Sequence, residues 1–211
     1  NNTNNLPNTL PIFPLSNFIF FPNTPAPLNI FEPRYIQMID QSIKTNRMIG
    51  MVQPKGAVNT KIPELFRVGC MGKISSFNET DDGRYMITLS GISRFRIIKL
   101  ISSFSPFIKA EVDWNDFSED RAKTMIDHDF DRDSFFTLLK KYFAVKGLKT
   151  DWESLREADE EIIINSLSML CPFDVEEKQA LLESKNLIER RKMINTLMEF
   201  SLHVGTKGGL Q

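Results

Sequence analysis

LPIFPLSNFIFFPNTPAPLNIFEPRYIQMID, residues 10–40, sets six prolines among closely spaced Ile, Leu and Phe. Proline fixes φ and has no N–H for a sheet ladder, so long regular strands are excluded here. A stretch this apolar nevertheless has to be buried, which predicts short, bent strands in a small barrel. At Phe31-Glu32-Pro33-Arg34-Tyr35 the pattern changes to helical spacing. Pro33 suits a first helical turn, and Tyr35, Ile36, Ile39 and Ile43 then share one face.

Beyond this helix the strand pattern resumes, to about residue 113. In Leu65–Ile74, Phe66, Val68, Cys70 and Ile74 fall on one face, with Arg67 and Lys73 on the other. In Arg84–Ser90, Tyr85, Ile87 and Leu89 alternate with polar neighbours, the period of a half-buried strand. Asp82-Gly83 between them is a hairpin signal, because both residues tolerate positive φ. Gly91 separates the next strand, Ile92–Ile101, as at a bulge or corner.

Residues 114–130, WNDFSEDRAKTMIDHDF, are charged and lack strand pattern, which places a junction there. The later spacing is helical. Phe135, Leu138, Leu139 and Tyr142 form one stripe, stopped at Gly147. Ile163, Leu167 and Leu170 form another, stopped at Cys171-Pro172. Asp174-x-x-Glu177 has the form of a capping box, and Asn186-x-x-Glu189 repeats it before Ile194, Leu197, Met198 and Leu202. The expected organisation is α+β: a β-rich lobe at 10–115 containing one helix, a helical bundle at 116–204, and flexible tails at 1–9 and 205–211.

The chain has 211 residues, 41% apolar and 25% charged, with a net charge of −1. That balance argues against a broad electrostatic partner such as duplex DNA or an anionic membrane. No apolar run approaches the roughly 20 residues of a membrane span. The polar start NNTNN shows no signal peptide. Cys70 and Cys171 make no disulfide framework and read as small buried hydrophobes, as in a reducing cytosol.

LPIFPL, NFIFFPNTPAPLNIFEPRY, RVGCMGKISSF, DDGRYMITLSGISRFR, PFDVEEKQALLE and NLIERR, in this order, resemble the Lon protease N-terminal domain family. The resemblance runs from about residue 10 to about residue 202. Its helical end most resembles a bacterial branch in which the domain stands alone. It implies a PUA-like pseudo-β-barrel followed by a helical bundle. It also implies substrate engagement without the ATPase and Ser–Lys peptidase modules of full proteases. The sequence agrees, having no G-x-x-x-x-G-K-[ST] loop to cradle phosphates; Gly205-Thr206-Lys207-Gly208-Gly209 lacks the spacing.

Other chemistry reads as weak. The run Asp127-His128-Asp129-Phe130-Asp131-Arg132-Asp133 suggests a calcium loop, which needs Gly at its sixth position and Glu at its twelfth. Counting from Asp129 these are Ser134 and Lys140; counting from Asp127 they are Arg132 and Leu138. The run therefore reads as acidic charge before a helix start. His128 and His203, expected to be exposed, and the two cysteines lack the close pairing of zinc ligands. No metal, cofactor or catalytic residue is expected.

Arg94-Phe95-Arg96, with Arg84 and Lys99, has the alternation of an RNA-binding face but equally of a strand with Phe inward and Arg outward. RNA or small-ligand binding by a PUA-like barrel is thus the alternative function. Phe31, Glu32, Arg34 and Tyr35 also have two readings. Structurally, Phe31 and Tyr35 pack into the barrel while Glu32 and Arg34 anchor loops. Functionally, they edge a groove for extended or unfolded peptide. Phe20 and Phe21, with Phe18, are further candidates for peptide contact if exposed. The expected function is cytoplasmic, non-enzymatic recognition of unfolded or extended polypeptides, with a protease or a second copy as other protein partners.

Overall fold

The computed structural model describes residues 5–56, 63–123 and 125–207. These form six strands: β1 (Thr9–Pro14), β2 (Pro25–Ile30), β3 (Met48–Val52), β4 (Val68–Glu79), β5 (Tyr85–Ile101) and β6 (Ile108–Asp113). Helix α1 (Pro33–Ile43) lies between β2 and β3, and a 3-10 helix (Asn115–Arg121) follows β6. Then come α2 (Arg132–Lys146), α3 (Trp152–Glu157), α4 (Glu160–Leu170), α5 (Val175–Glu183) and α6 (Leu187–Lys207). The fold is α+β, as expected.

The sheet order is β2-β5-β4-β3-β1-β6, and β6 also pairs with β5. Five strands therefore close into an irregular ring, with β2 added outside it. β1 and β3 are parallel, and the other pairs are antiparallel. The long β5 makes closure possible. Its first part pairs with β2 from Tyr85 to Ser90, and its last part pairs with β6 from Arg96 to Ile101.

The change of partner is centred on Gly91. Its register against β4 slips there, with Gly72 opposite Gly91 but Met71 opposite Ser93. The strand is thus one element with a bulge, where the sequence suggested two. Gly91 is required because the Phe21 turn sits directly on it: a Cβ would lie 1.9 Å from the Phe21 carbonyl oxygen. Asn23 donates to the Gly91 carbonyl and Gly91 donates to Thr24, both at 2.9 Å.

Two apolar cores lie on the two faces of the sheet. Inside the ring, Leu10, Ile12, Val52, Met71, Phe95, Ile97, Ala110, Val112 and Trp114 pack together. Phe95 and Trp114 meet edge to face, with ring centroids 5.9 Å apart. Gly50 and Gly69 make room for Phe95, since a Cβ on either would come within 2.8 Å of its ring. The outer core joins Phe20, Phe21 and Leu89 of the sheet region to Leu139, Tyr142, Ile163, Leu181, Ile194 and Met198 of the helices. Residues Val68 to Gly72 of β4 are consequently all buried, where one-face alternation was expected. Phe66 precedes β4 and is half-buried.

Helix ends follow the cap residues. Asp174 and Glu177 form the reciprocal capping box of α5. Asn186 Oδ1 accepts from the Glu189 N–H at 2.9 Å at the start of α6. Gly147 ends α2 at φ 68°, in the left-handed region. Helix α3 was not anticipated; it is six residues long and buries none of them, so no apolar stripe marks it. Its signal is the cap, since Asp151 accepts from the Ser154 N–H.

The tails are shorter than expected wherever they are described. Trp114 Nε1 donates to the Pro7 carbonyl and Val112 N–H to the Asn8 carbonyl, both at 2.9 Å, and Thr9 opens β1. At the other end α6 runs to Lys207. Residues 1–4 and 208–211 of the expected tails lie outside the described residues.

Candidate functional site

The residues singled out around the start of α1 divide sharply. Tyr35 is buried and stacks on Phe13, ring centroids 4.3 Å apart and planes 8° from parallel. Phe31 is 65% exposed, so the reading that packs it into the barrel is corrected: it follows directly after β2 and is left at the surface. Glu32 and Arg34 pair with each other at 3.1 Å, and the Arg34 guanidinium lies 4.7 Å above the Tyr35 ring. Burial holds the Tyr35 phenol above its ordinary pKa; the Arg34 charge opposes that shift and the Glu32 charge adds to it.

Phe31, Glu32 and Tyr35 line a groove of about 350 Å³, and Arg34 adjoins it through its pair with Glu32. Phe13 to Ser16 form one wall, at and just beyond the end of β1. Pro27 to Phe31 of β2 and its extension form the other, and Glu32 and Tyr35 close one end. The lining is mostly apolar, with Glu32 and the neighbouring Arg34 supplying charge at the rim. Such a shape can bury an apolar group and orient it with one ion pair. It has no residue set for bond chemistry.

Phe20 and Phe21 do not belong to this surface. Both are 0% exposed, and this corrects the expectation that they contact a ligand. The Phe20 ring fills the space over Gly72, and Phe21 lies under the Arg190 guanidinium at 4.1 Å. The turns around Asn17 and Asn23, both at φ 59°, swing these rings inward. Phe18 is half-buried against the same core.

A second cavity, about 290 Å³, lies where β5, the 3-10 helix, α4 and α6 meet, lined in part by Arg94, Asp120, Asn165 and Arg190. Its arginines serve the fold. Arg94, only 3% exposed, donates from Nη1 to the Leu182 and Ser184 carbonyls at 2.9 and 2.6 Å. Arg190, 5% exposed, donates to the Leu181 carbonyl at 3.0 Å and to Asn165 Oδ1 at 2.8 Å. Together they satisfy carbonyls at the C-terminal end of α5 that the helix itself cannot. Burial, first, and the Arg94 charge pull the Arg190 pKa down to about 9.

The expectation of Phe inward and Arg outward in Arg94-Phe95-Arg96 therefore holds only in part. Phe95 is inward, but Arg94 is covered by the 3-10 helix and α5. Arg96 pairs with Asp116, Arg84 with Asp82 and Lys99 with Glu111. Each basic residue of the supposed RNA face already meets a carboxylate.

The acidic run before α2 is also more than helix-start charge. Asp131 does cap α2, accepting from the Ser134 N–H. Asp127, however, is buried and accepts from Arg191 Nε at 2.5 Å. Burial raises its pKa, but the Arg191 and Asp129 bonds win and hold it below the ordinary carboxylate range. Glu160 at the start of α4 shares this site, with a buried Oε1 that has no hydrogen-bond partner among the described residues. Burial, then the Asp127 charge, raise Glu160 to about 7. Sequence spacing could not reveal this cluster, because its members are far apart along the chain.

Both thiols are buried; burial raises Cys70 well above its ordinary value and Cys171 to about 12, so they remain protonated. His128 and His203 are exposed. Among the described residues no group of three His, Cys, Asp or Glu could hold a metal ion, and no helix is long and apolar enough to cross a membrane. Of the string Gly205–Gly209, residues 205–207 are helical and the remainder lies outside the described residues.

Known proteins place these features in a family. The chain is 26% identical over 207 residues to Lon protease 2 of Myxococcus xanthus, covering 93% of this chain and 24% of that protein. It is 22% identical over 217 residues to the Lon protease of Dictyoglomus thermophilum, covering 97% and 26%. It thus spans about a quarter of the length of these curated relatives. The fold is that of the N-terminal domain of Mycobacterium avium complex Lon protease, with a TM-score of 0.60 at 14% identity, covering 90% of this chain and 98% of that one. It also matches the Lon N-terminal domain protein from Xanthomonas campestris, with a TM-score of 0.58 at 20% identity, covering 90% and 97%. The profile described as the ATP-dependent protease La (LON) substrate-binding domain matches residues 9–199, and the chain belongs to that family.

Proposed function

We propose that this chain is a non-catalytic, cytoplasmic polypeptide-recognition module, and that the groove lined by Phe31, Glu32 and Tyr35, with Arg34 beside it, receives extended or unfolded polypeptide. The observation that carries this reading is the exposed Phe31 ring beside a largely apolar groove. A large exposed aromatic next to a concave apolar surface is characteristic of interaction sites. The family match supports polypeptide as the ligand class, because it covers the substrate-binding part of the proteases. Free, buried cysteines suit a reducing cytosol.

The test is a peptide array probed with the purified chain and with Phe31→Ala, beside a salt titration of the strongest hits. Binding should weaken in the variant and change little with salt, since apolar capture releases few counterions. Equal binding by both proteins would place recognition elsewhere. A steep fall with salt would favour a phosphate-rich ligand instead.

A further inference from the structure

The cavity of about 290 Å³ between β5, the 3-10 helix, α4 and α6 is walled by a buried charge that the fold leaves unmatched. Two guanidiniums are buried there, those of Arg94 and Arg190, but Asp120 serves only the first. Its oxygens accept three bonds, all from Arg94. The hydrogen bonds of Arg190 go to neutral acceptors, the Leu181 carbonyl and Asn165 Oδ1. The Asp120 and Glu161 charges favour its ionised form, but burial outweighs them. An arginine this deeply buried is normally paired with an anion.

Donors are also left over. Arg190 Nη1 donates to Asn165 Oδ1 at 2.8 Å, which ties the two side chains together. The second nitrogen of the guanidinium, Nη2, and the amide nitrogen of Asn165, Nδ2, make no hydrogen bond among the described residues. Arg190 is 5% exposed and Asn165 2%, and both line the cavity. Lys123 and Lys185 are exposed at its rim. Asn186 and Leu187 bring the start of α6 to it, and a helix N-terminus carries partial positive charge. In all, the lining has four cations against three carboxylates, Glu119, Asp120 and Glu161. Water can satisfy the donors but does not neutralise the surplus charge.

We propose that this cavity binds a small oxyanion, a carboxylate or phosphate group, seated on Arg190 and Asn165 and drawn in by Lys123 and Lys185. Guanidinium and amide N–H donors suit either oxyanion. The volume is near the small end of ligand pockets, about 300 Å³, so the ligand is a small molecule. Its occupancy would tie the junction at Lys123 to α4 and α6.

The probes are inorganic phosphate and succinate. Each is titrated into the isotope-labelled chain at constant ionic strength and followed through the backbone amides of Asn165, Leu187 and Arg190. Saturable shifts at these amides are expected from at least one probe, in the millimolar range or tighter. Saturation by phosphate alone assigns a phosphoryl ligand, by succinate alone a carboxylate, and by both either group. Asn165→Asp supplies the negative charge beside Arg190 from within the chain. This variant should stay folded by circular dichroism and lose about tenfold or more in affinity. Lys185→Ala, at the surface, should keep its melting temperature and lose about two- to fivefold. Wild-type affinity in Asn165→Asp, or no saturation with either probe, overturns the proposal. Should Asn165→Asp unfold, unchanged affinity in Lys185→Ala overturns it instead.

Discussion

Arg94 and Asp120 meet through two parallel bonds, Nε to Oδ2 at 2.9 Å and Nη2 to Oδ1 at 2.8 Å. Asp120 Oδ2 also accepts the Arg94 backbone N–H at 2.9 Å. The carboxylate thus fixes the arginine at both ends, and the remaining guanidinium donor reaches the α5 carbonyls. This single contact links β5, the 3-10 helix and α5. Removing one partner strands the other charge in the interior, which typically costs about 3–5 kcal/mol. Asp120→Ala is therefore expected to lose stability on that scale in urea melts. Asp116→Ala, which breaks only the exposed pair with Arg96, should lose at most about 1 kcal/mol. Equal losses would mean that the clamp is not structural.

The groove residues should separate binding from stability. Phe31 is exposed, and Arg34 meets the core at the Tyr35 ring, so Phe31→Ala and Arg34→Ala should change the melting temperature little while weakening peptide binding. The Arg34–Glu32 pair is partly exposed, so its loss should cost about 0–1 kcal/mol. Tyr35→Ala removes a buried ring stacked on Phe13, and losses of about 3–5 kcal/mol are usual for buried aromatics. Differential scanning fluorimetry beside fluorescence binding checks all three. A large drop in melting temperature for Arg34→Ala would assign that residue to the scaffold.

Stability should depend on pH through Glu160. Its ordinary value is 4.5 and its folded value about 7, so between these the folded protein keeps a proton that the unfolded chain has lost. Its contribution is therefore fully present at low pH, declines as pH rises from 4.5 to about 7, and is flat above that. The charged groups acting on it are Asp127 before α2, Arg132 of α2 and Arg191 of α6. Asp127 is shifted the other way and loses its contribution only as pH falls below the Glu160 window. Glu160→Gln should thus gain relative to wild type between pH 5 and pH 8 in urea melts. Parallel pH profiles for the two proteins would show that Glu160 holds no extra proton.

Proteolysis should begin in the junction between the strand-bearing and helical regions. Residues 122, 123, 125 and 126 are exposed, whereas the preceding 3-10 helix is tied down through Asp120 and through Arg121, which donates to Ser93 Oγ at 3.0 Å. Trypsin is expected to cut first after Lys123. The two fragments should stay together on native gel filtration, because one apolar core runs through both regions. First cuts within β5, or fragments that separate, would contradict this arrangement.

The sequence by itself determined the elements and their order. Proline spacing limited β1 and β2 to short strands, Pro33 started α1, Asp82-Gly83 turned the hairpin, and side-chain caps set the starts of α5 and α6. These are local effects, acting over a few residues, so local spacing carries them. The tertiary structure alone decided which side chains became surface. Phe20, Phe21 and Phe31 look alike in the sequence, yet two are in the core and one stands at a groove, because the turns at Asn17 and Asn23 and the position of β2 outside the ring set their directions. Arg94 looked like an outward strand residue until α5 covered it. The grouping of Glu160 with the Asp127–Arg191 pair joins groups from separate elements. Burial and charge proximity depend on which elements pack together, and that packing is settled by contacts between residues far apart in the chain, which no spacing rule encodes.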